Sequence, residues 1–242
     1  MHLDPHPLAH LDPRERDRLN QVTHACYDMA RRKLGSAMAS GHERGRRIAM
    51  RLMDEAVSTG QELQRMSTAC KPGCDACCHL RVDATAQEIF GLIDYVAEHQ
   101  GAAAMQRLHT RVDTFRAAMA GLDREARLRR NDPCPLLQDG RCSAYGARPL
   151  MCRRHHSLDA QACQAIKDSP EIDSNRPASA VVDMMALAVL GAYLDEGAAH
   201  GMERTHWDLV DGLHEALNDP QARLRHESGD PAFVHAMSAP TA

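Results

Sequence analysis

The stretch CKPGCDACCHL (residues 70–80) places four cysteines within nine residues, and two of them are adjacent. In a Cys-x-x-Cys step a short turn points both sulfurs to one side, so we expect Cys74 and Cys77 to bind the same metal centre. The side chains of adjacent residues such as Cys77 and Cys78 diverge in a strand and in a helix. We therefore do not expect those two sulfurs to bind one small ion.

A second group of cysteines, Cys134, Cys142, Cys152 and Cys163, is separated from Cys78 by fifty-five residues. Because this segment has no Cys-x-x-Cys pair of its own, we expect its sulfurs to join those of the first segment in a shared centre. Four thiolates satisfy one zinc ion or one four-iron cluster, and eight satisfy two. The count leaves open two neighbouring mononuclear sites, one larger iron–sulfur cluster, or one site plus a free thiol.

The residues around the cysteines are rich in basic side chains. Thiolates at a metal leave excess negative charge, which is costly to bury unless cations or N–H donors lie close. The candidate cations are Lys71, Arg81, Arg141, Arg148, Arg153 and Arg154. His79 or His155 in place of one thiolate is an alternative ligand.

The ninth cysteine, Cys26, falls at a different kind of position. Apolar residues recur around it at steps of three and four in a predicted helix over residues 14–34, with Gly35 as the expected stop. We therefore predict that Cys26 belongs to the apolar core and not to the metal centre.

The cysteine segments resemble the CxxCxxCC family of zinc- or iron-chelating domains, also called YkgJ-like cysteine-cluster proteins. The similarity lies in GCDACC, VDATAQE, CPLLQDGRCSAYGARPLMCR and a final Ala-Cys pair, within about residues 70–167. The resemblance implies a metal or iron–sulfur site with Arg148 and Arg153 beside it and with the ligands Cys74, Cys77, Cys78, Cys134, Cys142, Cys152 and Cys163. Cys70 completes the eight candidate ligands, although it stands four residues before Cys74, where the commonest family spacing is three.

The composition argues against a nucleic-acid partner and against a membrane partner. A formal net charge of -4 and an aromatic content of 3% give neither a general attraction to nucleic acid nor stacking platforms for single strands. The longest apolar run, residues 181–194, contains Asp183 and is shorter than the roughly 20 residues that span a bilayer. The first residues also lack the pattern of a secretory signal. We expect a cytoplasmic protein without a nucleic-acid or membrane partner, in which clustered cysteines bind metal.

The remaining sequence predicts a mainly α protein, with helices around an irregular cysteine-rich core that two loop segments form. Thr85 and Glu88 match a capping box, Gly101 is expected to divide a helical hairpin (86–99 and 102–120), and Asp139-Gly140 predicts a hairpin turn. Further helices are predicted over residues 43–66, 159–167, 178–200 and 204–217, before a partly loose tail. We divide the chain into an N-terminal helical extension (1–69), a cysteine-cluster domain (70–170) and a C-terminal helical segment (171–242).

The leading functional hypothesis is a metal-binding protein that holds iron as an iron–sulfur cluster, with zinc as the alternative metal. No catalytic residue is assigned. An enzyme is the second hypothesis, because one branch of the family, the flagellin lysine N-methylases, joins the cysteine motif to methyl transfer. Against it, the chain has no glycine-rich loop after a strand that would hold S-adenosylmethionine. The third hypothesis is a structural zinc module that unfolds without its metal and offers its helices as an interaction surface.

Overall fold

The structure is a computed structural model that describes residues 12–71, 73–169 and 176–239. It is mainly helical, as predicted. Its helices are α1 (Pro13–Met38), α2 (His42–Leu63), α3 (Ala86–Ala118), α4 (Arg124–Leu128), α5 (Leu150–Arg154), α6 (Ala160–Asp168), α7 (Ala180–Ala199), α8 (Leu209–Asn218) and α9 (Pro220–Glu227). Its short strands are β1 (Asp83–Thr85), β2 (Leu137–Gln138), β3 (Arg141–Cys142) and β4 (His206–Asp208). No helix in the described part combines the length and the apolar character needed to cross a membrane.

Helices α1, α2 and α7 pack around one apolar cluster, to which Leu34, Met53 and Tyr193 contribute fully buried side chains. Cys26 belongs to this cluster, with 7% of its surface exposed and its Sγ 3.6 Å from the carbonyl oxygen of Met185. The prediction that Cys26 is a core residue is therefore confirmed.

Gly35 does not end the first helix, so this detail of the prediction is wrong. The helix continues to Met38, and a glycine with a φ of 122° follows at position 41. A Cβ atom at Gly35 would lie 2.9 Å from Oε2 of Glu196 on α7. The glycine therefore lets α1 and α7 approach closely, and helix hydrogen bonding continues through it.

A second apolar cluster packs α3 against α8 and lies next to the cysteine segments. The predicted capping box starts α3: the Thr85 hydroxyl accepts from the Glu88 N–H, and Oε2 of Glu88 accepts from the Thr85 N–H at 2.8 Å. Within α3, Gly101 has a φ of 75° and a ψ of -178°, which no helix accommodates.

The α3 element doubles back at Gly101, as predicted. A straight helix of its 33 residues would extend about 50 Å. Instead, the Arg81 guanidinium, just before α3, lies 4.3 Å from the ring centre of Phe115 near its end, and Arg124 forms a 2.7 Å salt bridge with Asp83. The hairpin therefore returns the chain to the first cysteine segment.

The C-terminal region is more ordered than the sequence suggests. The predicted helix from residue 204 begins at Leu209 instead, because His206–Asp208 forms β4, which pairs antiparallel with β1. The predicted loose tail is also wrong over residues 220–239: α9 starts at Pro220, and Phe233 packs against Phe90 and Trp207 in the core. Oε2 of Glu215 accepts the N–H groups of residues 235 and 236 at 2.8 Å. The last three residues of that tail lie outside the described ranges.

Candidate metal centre

The first cysteine segment is a loop followed by a short 3-10 turn (Ala76–His79). The Ala69 N–H donates to the Ser157 carbonyl at 2.8 Å, so the start of this loop lies against the chain that follows the second segment. The Cys74 N–H donates to the Lys71 carbonyl at 3.0 Å and closes a tight turn. Cys70 and Cys74 are exposed, whereas both cysteines of the 3-10 turn are half-buried.

The adjacent thiols of Cys77 and Cys78 contact each other. A hydrogen bond from the Cys78 thiol lowers the pKa of Cys77 to about 7, and the same contact raises the pKa of Cys78. These two opposite pKa shifts describe the pair of thiols and not either residue alone, because the two sulfurs share one proton. The 3-10 turn thus brings together two sulfurs that simple alternation of side chains would separate.

The second segment is attached to the first by its backbone. The Cys134 N–H donates to the Cys78 carbonyl at 2.8 Å. Residues 137–142 then form the predicted β-hairpin, in which Asp139 and Gly140 both have positive φ, at 49° and 71°. This turn places Cys142, at the end of β3, back beside Cys134.

The short helix α5 carries Cys152 and is fixed by Glu88. Its first N–H group, at Leu150, donates to Oε1 of Glu88 at 2.7 Å. The Glu88 residue is 2% exposed, and its other oxygen completes the capping box of α3. One buried carboxylate therefore joins the helix after the first cysteine segment to the helix that carries Cys152.

Helix α6 carries Cys163 and is tied to the first segment by an ion pair. Nζ of Lys167 lies 2.9 Å from Oδ1 of Asp75, the residue that precedes the 3-10 turn. Desolvation raises the pKa of Cys70, and the charges of Cys77, Cys163 and Cys74 raise it further. Cys163 is therefore close to the first segment and not only to the second.

The sulfurs of the second segment also act on one another. Burial, together with the neighbouring Cys142, raises the pKa of Cys134 to about 11. Burial raises the pKa of Cys152 well above its ordinary value, with added effects from Cys134, Cys77 and Cys142. The structure thus brings thiols from both segments within electrostatic range of each other.

Cationic groups surround these thiols. The charges of Arg148 and Arg176 favour the thiolate of Cys77, while Arg81 and Arg111 favour that of Cys134. Nε of Arg81, Arg148 and Arg176 is buried with no hydrogen-bond partner in the described part of the chain. Buried N–H donors without acceptors suit a site whose negative charge comes from thiolates and a bound metal or cluster.

The second predicted basic residue, Arg153, is engaged elsewhere. Its Nη1 lies 2.5 Å from Oδ2 of Asp54 on α2, and its other nitrogens donate to the carbonyls of Gly146 and Arg148 at 2.6 and 3.0 Å. Residues 145–153, a turn that leads into α5, are called here the 145–153 loop. Arg153 therefore holds this loop in shape and joins it to α2, whereas Arg148 acts on the thiols.

The histidines beside the cysteines differ in whether their ring nitrogens are free to bind a metal. In His156, Nε2 accepts the Ser179 N–H at 3.0 Å and Nδ1 donates to the Arg154 carbonyl at 3.1 Å, so both nitrogens are used. Nδ1 of His79 lies 3.0 Å from the Asn131 carbonyl. Burial lowers the pKa of His155 to about 4, so its ring is neutral at pH 7 and chemically able to bind metal.

Within the described ranges, no three histidine, cysteine, aspartate or glutamate side chains stand in a geometry that holds one ion. All nine cysteines are free thiols. Ligation therefore requires sulfurs to turn towards a common point, and a cysteine has a single side-chain torsion with three staggered positions. The donor set fits a thiophilic metal or cluster in its chemistry and in the cations around it.

Sequence reasoning missed two parts of this region. Arg176 follows the last cysteine by thirteen residues, with no spacing signal that connects it to the cluster. The capping-box pattern identified Glu88 as a helix-start residue, but no pattern in the sequence indicates that its second oxygen holds the N–H of Leu150. Both contacts depend on how distant segments pack.

A comparison with protein families matches the part of the chain that contains both cysteine segments. Residues 69–172 match the model of the CxxCxxCC family, whose description reads "Putative zinc- or iron-chelating domain". Neither a search of curated proteins nor a search of solved structures gave a match. The matched range contains all eight clustered cysteines and excludes Cys26. Residues 69–172 of this chain are therefore similar to the CxxCxxCC family of zinc- or iron-chelating domains, which the cysteine motifs also resemble.

Proposed function

We propose that the eight clustered cysteines hold iron, in the form of an iron–sulfur cluster. The observation that carries the proposal is the 2.8 Å hydrogen bond from the Cys134 N–H to the Cys78 carbonyl. It fixes the two segments side by side, so that both supply sulfurs to one region. The ligand set we propose is Cys70, Cys74, Cys77, Cys78, Cys134, Cys142, Cys152 and Cys163.

The contact between Cys77 and Cys78 favours a multi-iron centre. Two sulfurs this close suit a cluster in which neighbouring irons each take a separate sulfur. The unpartnered Nε donors of Arg81, Arg148 and Arg176 support the same choice. Hydrogen bonds to cluster sulfurs stabilise the added negative charge and tune the reduction potential.

Zinc is the alternative metal, and the eight thiols can be divided into two groups that would each bind one zinc ion. The charges of Cys74, Cys77 and Cys163 act on Cys70, and those of Cys77, Cys134 and Cys142 act on Cys78. Cys77 acts on both, and we assign it to the first group. With Cys152 in the second group, the two groups contain four thiols each. Two zinc ions with four thiolates each would satisfy that division.

In this function the residues of the chain bind and position the metal or cluster. The cysteines supply thiolates, the arginines offset their charge, and Glu88 holds the helix that carries Cys152. An iron–sulfur cluster, when bound, supplies one-electron chemistry. We also propose a cytoplasmic location, because thiolate sites of this kind persist in a reducing compartment.

The test is the metal content of protein purified without oxygen, measured together with acid-labile sulfide and the visible spectrum. The proposal predicts a brown protein with iron and sulfide in comparable amounts. A colourless protein with stoichiometric zinc and no sulfide would reject the iron proposal and support the two-zinc alternative. A protein that binds neither metal after reconstitution under reducing conditions would reject both.

A further inference from the structure

A groove of about 650 Å³ separates α2 from the 145–153 loop of the cysteine domain. Its walls carry four arginines: Arg47 and Arg51 from α2, and Arg148 and Arg153 from the loop. The residues contributed by α2 stand at positions 47, 50, 51 and 54, which is one face of a helix. The opposite face of α2, with Leu52 and Met53, is buried in the core.

The positive charge of this groove exceeds the negative charge that faces it. Asp54, the only carboxylate on its described walls, forms a 2.5 Å salt bridge with Arg153. Glu43 pairs with Arg47 at 2.7 Å but is shared with the buried Arg46. No carboxylate of the described residues lies within salt-bridge distance of the remaining two arginines of the groove.

The groove is also pre-shaped. The Arg153 side chain is 8% exposed and is held by Asp54 and by two backbone carbonyls of the loop. The Arg148 guanidinium lies 3.9 Å from the ring centre of Tyr145, and its Nε has no hydrogen-bond partner in the described chain. Two loop arginines are therefore fixed before any ligand arrives, which reduces the entropy lost on binding.

We propose that this groove binds a small molecule that carries two or more phosphate or carboxylate groups. Planar guanidinium groups bind both anions through paired N–H donors, and arginine is the side chain best suited to that geometry. The volume lies in the range of sites for small molecules, between about 300 and 1,000 Å³. The groove borders the cysteine cluster through Arg148, whereas Arg47, Arg51 and Arg153 lie on its other walls. The proposal holds whichever metal the cysteines bind.

The test uses the full-length, metal-loaded protein and two probes that bind metal weakly, fructose 1,6-bisphosphate and tricarballylate. Calorimetric titration of each probe measures affinity, and metal content is measured before and after. We expect at least one probe to bind, with a Kd that rises with ionic strength because charges drive the interaction. Binding of the bisphosphate alone identifies phosphate as the recognised group, and binding of tricarballylate alone identifies carboxylate.

Arg51→Gln is the informative variant, because Arg51 lies on the exposed wall of α2 and not in the cysteine loop. We expect it to weaken binding about tenfold, as loss of one charge-assisted contact does. Arg32→Gln, at an exposed position of α1, is the matched control and should bind as tightly as the unmodified protein. Equal affinity in the Arg51→Gln variant, or no binding of either probe up to about 10 mM, would overturn the proposal.

Discussion

The Cys134 N–H donates to the Cys78 carbonyl at 2.8 Å, across fifty-five intervening residues. This bond brings the chain after the α3 hairpin back to the 3-10 turn that carries Cys77 and Cys78. Closing so long a loop costs entropy that grows only logarithmically, by about 0.6 kcal/mol for each doubling of length. The apolar contacts of the hairpin contribute to offsetting that cost.

The first prediction concerns Glu88, which links α3 to α5. Glu88→Ala removes both the capping contact with Thr85 and the acceptor for the Leu150 N–H, leaving buried donors unsatisfied. We expect a loss of about 1–3 kcal/mol in the free energy of unfolding, measured by urea denaturation. Glu98→Ala, at an exposed position of the same helix, should change stability by less than about 0.5 kcal/mol. Equal effects of the two variants would show that the buried carboxylate does not join these helices.

The second prediction concerns the turn at Gly101, whose φ of 75° is strained for any residue with a side chain. Gly101→Ala should lower the free energy of unfolding by about 1 kcal/mol or more. Gly191→Ala makes the same substitution inside α7, where the added Cβ would lie 3.7 Å from the Tyr27 ring, an ordinary contact distance. That control should be neutral or stabilising, because alanine favours a helix over glycine. A stabilising effect at Gly101 would contradict the hairpin turn.

The third prediction concerns pH. Burial, together with the charges of His42 and Arg223, lowers the pKa of His226 to about 4. Its Nε2 lies 2.9 Å from Oε1 of Gln87, and its ring packs on Phe90. An unfolded histidine has a pKa of about 6.5, so the unfolded chain takes up the proton first as the pH falls.

Stability from His226 is therefore present above about pH 6.5 and is lost progressively between about pH 6.5 and 4. The loss approaches 3 kcal/mol as an order of magnitude. We expect His226→Gln to show a smaller decrease in the free energy of unfolding between pH 7 and pH 5 than the unmodified protein. His24→Gln, at an exposed position of α1, controls for the substitution itself. The same decrease in all three proteins would rule out His226 as the source.

The fourth prediction separates the core cysteine from the clustered ones. Cys74→Ser should lower the metal content, because Cys74 is a proposed ligand and serine is a weak ligand for zinc or iron. Cys26→Ser should keep the metal and lose about 1–2 kcal/mol of stability, since it places a hydroxyl in the cluster between α1 and α7. Equal metal loss in both variants would mean that Cys26 takes part in the centre.

Local patterns in the sequence predicted the local features of this fold. The capping box of Thr85 and Glu88 and the turn at Asp139 and Gly140 depend on residues within a few positions of each other, and both are confirmed. The prediction that Gly35 ends the first helix is wrong, because the sequence alone does not distinguish a glycine that ends a helix from one that lets a neighbouring helix pack closely. The β4 strand and the ordered tail form only because partners distant in sequence, β1 and the α8 helix, are already in place.

The sequence likewise predicted the local features of the candidate site and not the contacts between distant segments. Cysteine spacing identified the thiols, because chelating steps are short-range patterns. It did not identify Arg176, whose charge acts on Cys77, or the engagement of Arg153 with Asp54 on α2. Those contacts arise from the packing of α2 and of the chain before α7 against the cysteine loops, which no local spacing encodes.

The proposed function requires that the two cysteine segments share one metal centre. The most direct measurement compares the metal content, per chain, of the unmodified protein with that of a variant in which Cys134, Cys142 and Cys152 are replaced by serine. Both proteins are reconstituted under the same anaerobic conditions, with Cys26→Ser as the matched control. We expect the triple variant to lose most of its tightly bound metal, whereas the control should retain it. A triple variant that holds as much metal, as tightly, as the unmodified protein would contradict the shared centre.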